Sequence, residues 1–291
     1  METLFETSLS LPLIQKGKVR DIYDIDDKRM LIVTTDRLSA FDVVFNEAIA
    51  GKGAVLTSVA NFWFDKTTHI LPNHLTHEPL ESVLNAEDAK QVAGRAIIVK
   101  KLRPLAVEAI VRGYIIGSGW KDYQNTGQVC GIELPKDMQL AQKLPETLYT
   151  PSTKAAVGEH DENVDFAATV EILGEDLANQ VKNASLALYE FASEYALERG
   201  IIIADTKFEF GLDENNQLTL MDEVLTPDSS RFWSKADYRV GSSPQSFDKQ
   251  IVRDYLEMLD WDKTPPAPTL PEDIINKTVA KYQEVEDLLT R

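Results

Sequence analysis

The stretch IIIADTKFEFGLDENNQLTLMDEVLTPDSSRFW, residues 201–233, opens with a β-branched apolar run at 201–204, and the helical pattern ahead of it stops at Gly200. A buried strand is therefore expected from 201 onward. Beyond it Asp205, Lys207 and Glu209 alternate with Thr206, Phe208 and Phe210. A period of two places the three charged side chains on one face and their neighbours on the other, the mark of a half-buried strand. Asn215-Asn216 supplies a turn, and Leu218, Leu220 and Met221 form a second strand. If the two pair as a hairpin, Asp222 and Glu223 arrive beside the first charged row, so that four carboxylates and one lysine share a small region.

Carboxylates at that density repel one another unless a cation sits among them. Mg²⁺ takes oxygen ligands, commonly one or two carboxylates with substrate phosphates and water, which makes Glu209 and Asp222 candidate metal ligands. Lys207 is placed to meet a transferring phosphate or a substrate carboxylate. On pattern alone, a solvated hairpin laced by cross-strand ion pairs fits as well. The loop TPDSSR (226–231) then ends in an arginine whose planar fork matches a phosphate.

At 291 residues the chain can bury a large core, as one extended domain or two intimately joined ones. Its net charge of −17 argues against nonspecific nucleic-acid or membrane-surface binding, which calls for a basic face, but leaves room for small anions in a local cationic pocket. The single Cys130 excludes an internal disulfide framework and a cysteine-based zinc site. METLFETSLS lacks the basic-then-apolar order of a signal peptide, and no apolar run approaches the ~20 residues of a membrane span, so a cytoplasmic protein is expected. There is no internal repeat, and KTPPAP (263–268) is the nearest thing to a linker.

The N-terminal third reads as sheet-rich. Residues 16–23 alternate basic and apolar positions, with Lys18 and Arg20 on one face, and pair with 29–34 across an Asp26-Asp27 turn. Two cations beside Gly17 suit a phosphate cover, although a basic strand face is more often simply solvated. No P-loop and no Gly-rich dinucleotide fingerprint occurs. The segment 35–42, with Ser39 and Asp42, follows a strand directly and offers either ligand contacts or ordinary turn chemistry. Gly51-Lys52-Gly53 reads as a flexible loop and 56–70 as an amphipathic helix packed on the sheet, while His74 and His77, without a third ligand, read as surface residues.

In the middle of the chain, 96–102 is a buried strand and 105–111 alternates around Glu108. The run Arg112-Gly-Tyr-Ile-Ile-Gly-Ser118-Gly brings a guanidinium, a hydroxyl and free backbone N–H groups together at a small-residue turn, a combination suited to a phosphomonoester or to nothing more than a Gly-rich turn. Residues 150–163, with Lys154, are longer than a plain connection requires. The stripe Leu177, Val181, Ala184, Leu188, Phe191 and Tyr195 is a core helix, and further packing helices are expected around 247–258 and 275–289, the last begun by Pro271.

Six strings in order, GKVRDIY (17–23), SAFD (39–42), VEAIVRGYIIGSGW (107–120), TPSTKAAVGEHDEN (150–163), ADTKFEFG (204–211) and DEVLTPDSSRFW (222–233), resemble the SAICAR synthetase family. Two departures stand out: Ala50 where proline is common, and Ala156 where an acidic residue is common. The resemblance implies an α+β fold, an N-terminal antiparallel sheet region (1–102) packed on a larger α/β region (103–291) with ATP in the cleft between them. It implies ATP- and Mg²⁺-dependent condensation of L-aspartate with the carboxylate of carboxyaminoimidazole ribonucleotide (CAIR), giving SAICAR, ADP and phosphate through an acyl phosphate. By the same similarity Lys18 and Arg20 would cover the ATP phosphates, Lys100 and Leu102 would line the adenine site, and Glu108 would contact the nucleotide. Glu209 and Asp222 would hold Mg²⁺, Arg112, Ser118 and Arg231 would grip the 5′-phosphate, and Lys207 with Asp205 would lie near the reacting carboxylate. Ser39, Asp42 and Lys154 are candidates for aspartate or imidazole contacts. The residue chemistry also admits a small-molecule kinase or a nucleotide-sensing module, and oligomeric state is open.

Overall fold

The computed structural model describes residues 3–154, 162–247 and 249–291. In chain order it runs through β1 (Leu13–Lys16), β2 (Arg20–Asp24), β3 (Arg29–Thr34), β4 (Arg37–Ala40), β5 (Val43–Ala48), α1 (Lys52–Lys66), α2 (Ala86–Gln91) and β6 (Ala96–Lys100). The middle holds β7 (Arg103–Pro104), β8 (Val107–Tyr114), α3 (Gly117–Thr126), β9 (Gln128–Val129), β10 (Ile132–Glu133), β11 (Lys143–Tyr149) and β12 (Ser152–Thr153). The last part holds α4 (Phe166–Leu173), α5 (Glu175–Glu198), β13 (Ile201–Leu212), β14 (Leu218–Met221), β15 (Ser230–Ser234), α6 (Gln250–Glu257) and α7 (Glu272–Thr290).

Among the described residues the strands form an antiparallel sheet ordered β1-β2-β3-β6 and a larger one ordered β11-β8-β13-β14, in which β15 and β7 also pair with β13 and β12 with β8. The α+β class inferred from the sequence is what the chain adopts. β13 is the axis of the larger sheet, flanked by β8 on one side and, along its length, by β15 and then β14 on the other. It is a single long strand in which the pairing with β15 skips a residue between Ile203 and Asp205. Ile201 and Ile203 nevertheless share a core with Phe208 and Phe210. The extra residue has changed the parity of the strand, as a bulge does, so the apolar side stays in the core and Asp205, Lys207 and Glu209 face outward.

That core is covered by α5. Glu175 and Asp176 sit in its first turn, where negative charge suits the helix dipole. Its buried face, with Ala178, Val181, Leu188, Ala192 and Ala196, packs on β13 and β8, and each large apolar side chain taken fully out of water there stabilises the fold by about 1.5–3 kcal/mol. α7 follows Pro271, carries Glu272 and Asp273 in its first turn, and lies against α1 and α6.

Several sequence expectations change here. β2 begins only at Arg20, so Lys18 lies in the turn before it rather than on a strand face beside Arg20. Lys52 and Gly53 are not a flexible loop but the first turn of α1, with the lysine buried. His74 is fully buried, whereas His77 is exposed as expected. The run after Ile116 is a helix start rather than a bare turn. Phe247 belongs to the main core ahead of α6, and Met258, at the end of α6, is 77% exposed instead of packed. Ala156 and the rest of 155–161 fall outside the described residues.

Candidate active site

The outward row of β13 divides into an arginine end and a lysine end. Cross-strand register sets Asp205 opposite Arg112 on β8 and opposite Arg231 on β15. Arg112 donates from Nη1 to Asp205 Oδ2 at 2.7 Å, and Arg231 donates to the same oxygen. Arg112 is held further by Thr150 Oγ1 at 3.0 Å and Ser118 Oγ at 2.9 Å. Burial draws its pKa below the usual arginine range, with Asp205 acting in the opposite sense.

Ser118 is the second residue of α3, a helix whose N-terminus has no side-chain cap, so its first N–H groups remain available to an anion. Gly117 has φ 60°, and a Cβ there would lie 2.5 Å from Arg231 Nη2. Glycine is thus required twice over, by the backbone and by the guanidinium laid across it. Arg112, Ser118, Ser229, Arg231, Lys249 and Arg253 line a pocket of about 190 Å³ at this point. It adjoins a cleft of about 520 Å³ that reaches Ser39 and Asp42 and shares Ser118, Arg231, Lys249 and Arg253 with it.

Two residues along, Lys207 Nζ lies 2.8 Å from Glu108 Oε1 and 2.7 Å from Glu209 Oε1. Lys154 takes the other oxygen of Glu209 at 2.6 Å. Burial opposes the charge on Lys207, but Glu209 and then Glu108 outweigh it and its pKa is raised. Burial likewise opposes the Glu209 carboxylate, and the lysine charges of 207 and 154 overcome this and bring it down to about 2.

Asp222 leaves β14 with φ 69° and turns to Arg20, which grips it through both nitrogens at 2.5 and 2.8 Å. Glu223 is 3.6 Å from the same guanidinium. The arginine's pKa is raised: burial alone would lower it, and Asp222 and Glu223 prevail. The four carboxylates expected in one cluster are therefore distributed, Asp205 among arginines, Glu209 among lysines, and Asp222 and Glu223 on Arg20. Lys18 pairs with Asp42 instead of joining Arg20. Lys100 and Leu102 line a cleft of about 920 Å³ together with Lys28, Arg29, Asp213 and Glu214.

Among the described residues no three His, Cys, Asp or Glu side chains converge as a self-sufficient metal cage. An ion held by two carboxylates and completed by phosphate and water needs no such cage. Glu209 and Asp222 offer oxygen only, the donor type Mg²⁺ takes, and in this structure those oxygens are held by Lys207, Lys154 and Arg20. Sequence reasoning missed Lys249 and Arg253, taken as part of a packing helix. Their i, i+4 spacing puts two cations on one helical face of a chain with net charge −17, a signal that was available.

The model of the SAICAR synthetase family matches residues 13–268. A phosphoribosylaminoimidazole-succinocarboxamide synthase from Neisseria meningitidis serogroup B is 59% identical over 285 residues, 98% of this chain and 99% of the relative. The SAICAR synthase of Saccharomyces cerevisiae, solved in complex with SAICAR, superposes with a TM-score of 0.90 at 43% identity, over 99% of this chain and 98% of that one. The chain belongs to the SAICAR synthetase family. It is accordingly a ligase of purine biosynthesis. A more distant SAICAR synthetase solved in complex with ADP, 24% identical, shares the fold at a TM-score of 0.70 over 95% of this chain and 97% of its own. Every site position named above lies within the matched span 13–268.

Proposed function

We propose that this cytoplasmic ligase condenses L-aspartate with the carboxylate of CAIR at the expense of ATP. The observation that carries the proposal is the continuity along β13 of a doubly gripped anion pocket, Arg112–Asp205–Arg231 with Ser118, and a lysine–carboxylate cluster, Lys207 with Glu108 and Glu209. A ribonucleotide with its 5′-phosphate at the arginines brings its base toward Lys207. The yeast relative's complex with SAICAR and the distant relative's complex with ADP support the product and the nucleotide respectively.

An amide cannot form from a bare carboxylate, because oxide is a poor leaving group. In the proposed reaction a carboxylate oxygen of CAIR attacks the γ-phosphorus of ATP, ADP leaves, and the aspartate amine then displaces phosphate from the acyl phosphate. The catalytic work is positioning and charge neutralisation. Lys207, kept protonated by its two glutamates, stabilises negative charge developing on the transferring oxygens. Lys18 and Arg20 cover the ATP phosphates, Glu108 contacts the nucleotide, and Lys100 and Leu102 border the adenine. Ser39, Asp42 and Lys154 hold aspartate or the imidazole. Asp205 spaces the two arginines so that both reach the 5′-phosphate. Glu209 and Asp222 would hold Mg²⁺, which when bound neutralises phosphate charge.

ADP release by the purified protein with Mg-ATP and CAIR, with and without L-aspartate, tests this. The proposal expects aspartate-dependent ADP and a product with the mass of SAICAR. ADP formed with no aspartate incorporated would make the chain a kinase, and no turnover would leave it a nucleotide-binding module.

A further inference from the structure

The loop 226–231 is anchored from below by a buried charge. Lys52 Nζ lies 2.8 Å from Asp228 Oδ2, with the lysine side chain 0% and the aspartate side chain 6% exposed. The Tyr282 hydroxyl donates to the other oxygen, Oδ1, and the Tyr282 ring centroid is 5.8 Å from the same Nζ. Three segments far apart in the chain, the start of α1, the loop and the middle of α7, thus converge on one carboxylate. Taking such a pair out of water is costly, and apolar side chains of similar volume would hold the helices together as well or better. What the pair adds is a fixed position.

The geometry of α1 is built to deliver that lysine. Gly51 precedes the helix at φ 78°, and a Cβ on Gly53 would lie 2.2 Å from the Thr34 carbonyl oxygen. The first turn is thereby pressed against the end of β3, and the Gly53 N–H donates to Asp36 at 2.9 Å. On the other side of Asp228 the loop is tight: Thr226 Oγ1 accepts from the N–H groups of Asp228 and Ser229 at 3.3 and 3.2 Å. Asp228, Ser229, Ser230 and Arg231 all line the anion pocket. Burial disfavours the Asp228 carboxylate, but Lys52 and then Lys249 keep it charged, with its pKa lowered.

We propose that Lys52 and Tyr282 are positioning residues for the ribonucleotide, acting through Asp228 to hold Ser229 and Arg231 at the anion pocket. The inference rests on the reading of that pocket as the 5′-phosphate site. It gives α7, outside the family-matched span 13–268, a role in substrate affinity as well as in packing.

The test compares steady-state constants for Tyr282→Phe, Lys52→Met, Val285→Ala and Arg231→Ala in the full chain. Tyr282→Phe keeps the ring and removes one hydrogen bond to a charged group, so the KM for CAIR should rise about fivefold while the KM for ATP and kcat stay within about twofold. Lys52→Met should raise the same KM further wherever it folds. Val285 is fully buried on the same helix, and its truncation should lower Tm with no selective change in the KM for CAIR. If Tyr282→Phe leaves that KM unchanged, or if Val285→Ala shifts it equally, the role is only structural and the proposal falls. If Arg231→Ala itself leaves the KM for CAIR unchanged, the pocket reading fails and takes the proposal with it.

Discussion

At His74 the chain buries an imidazole with neither ring nitrogen hydrogen-bonded, against Phe64 and near two cations. Burial first, and then the charges of Arg20 and Lys100, depress its pKa from 6.5 to about 3. Between those values the unfolded chain binds a proton that the folded chain does not, so stability rises with pH through the window and is lost as pH falls below 6.5. His74→Phe should therefore remove about 2 kcal/mol of the stability difference between pH 7 and pH 5. Urea unfolding of both proteins at the two pH values measures it, and an identical difference in each would show that His74 ionises in place. Nothing local in PNHLTH distinguishes this histidine from His77: its burial is imposed by Leu220, whose carbonyl accepts from the His74 N–H, and by strand β6, whose Lys100 N–H donates to the His74 carbonyl. The same holds for Lys52, where a Gly-Lys-Gly string signals mobility and the partner that buries it is 176 residues away.

Element by element, period-two and helical patterns were enough to find β13, β14, α5 and α7, because each carries an unbroken apolar face or a clear start signal. The bulge at Ala204 was not legible, since nothing in IIIADTK marks which residue the pairing will skip. It matters because it turns Asp205, Lys207 and Glu209 toward the cleft. The start of α3 was misread for a similar reason: Gly-Ser-Gly is turn chemistry by composition and becomes a helix N-terminus only when Arg112 and Arg231 are packed over it. Gly117→Ala checks that arrangement. The substitution strains a backbone at φ 60° and displaces Arg231, so the KM for CAIR should rise about tenfold, with Tm lowered by no more than about 2–4 °C. An unchanged KM would show that the Arg231 guanidinium is not needed where it lies.

At the scale of the whole molecule, the largest core takes Ile32, Val55 and Trp63 from the first part of the chain together with Leu188, Phe208 and Tyr282 from the second. The cleft is therefore built on a shared foundation, with Arg20 of the smaller sheet reaching Asp222 beyond the larger one. The sequence announced the right residue types, but pattern alone predicted one carboxylate cluster where the fold makes separate charge groups, because pairing partners such as Arg20 and Asp222 are 202 residues apart. In the proposed reaction this cleft activates a carboxylate by phosphoryl transfer before the amine attacks. Turnover with CAIR labelled with ¹⁸O in its carboxylate, followed by mass analysis of the phosphate and nucleotide products, tests it most directly. One labelled oxygen should appear in inorganic phosphate for each SAICAR formed, with ADP unlabelled. Label in AMP, or phosphate without label, would contradict it.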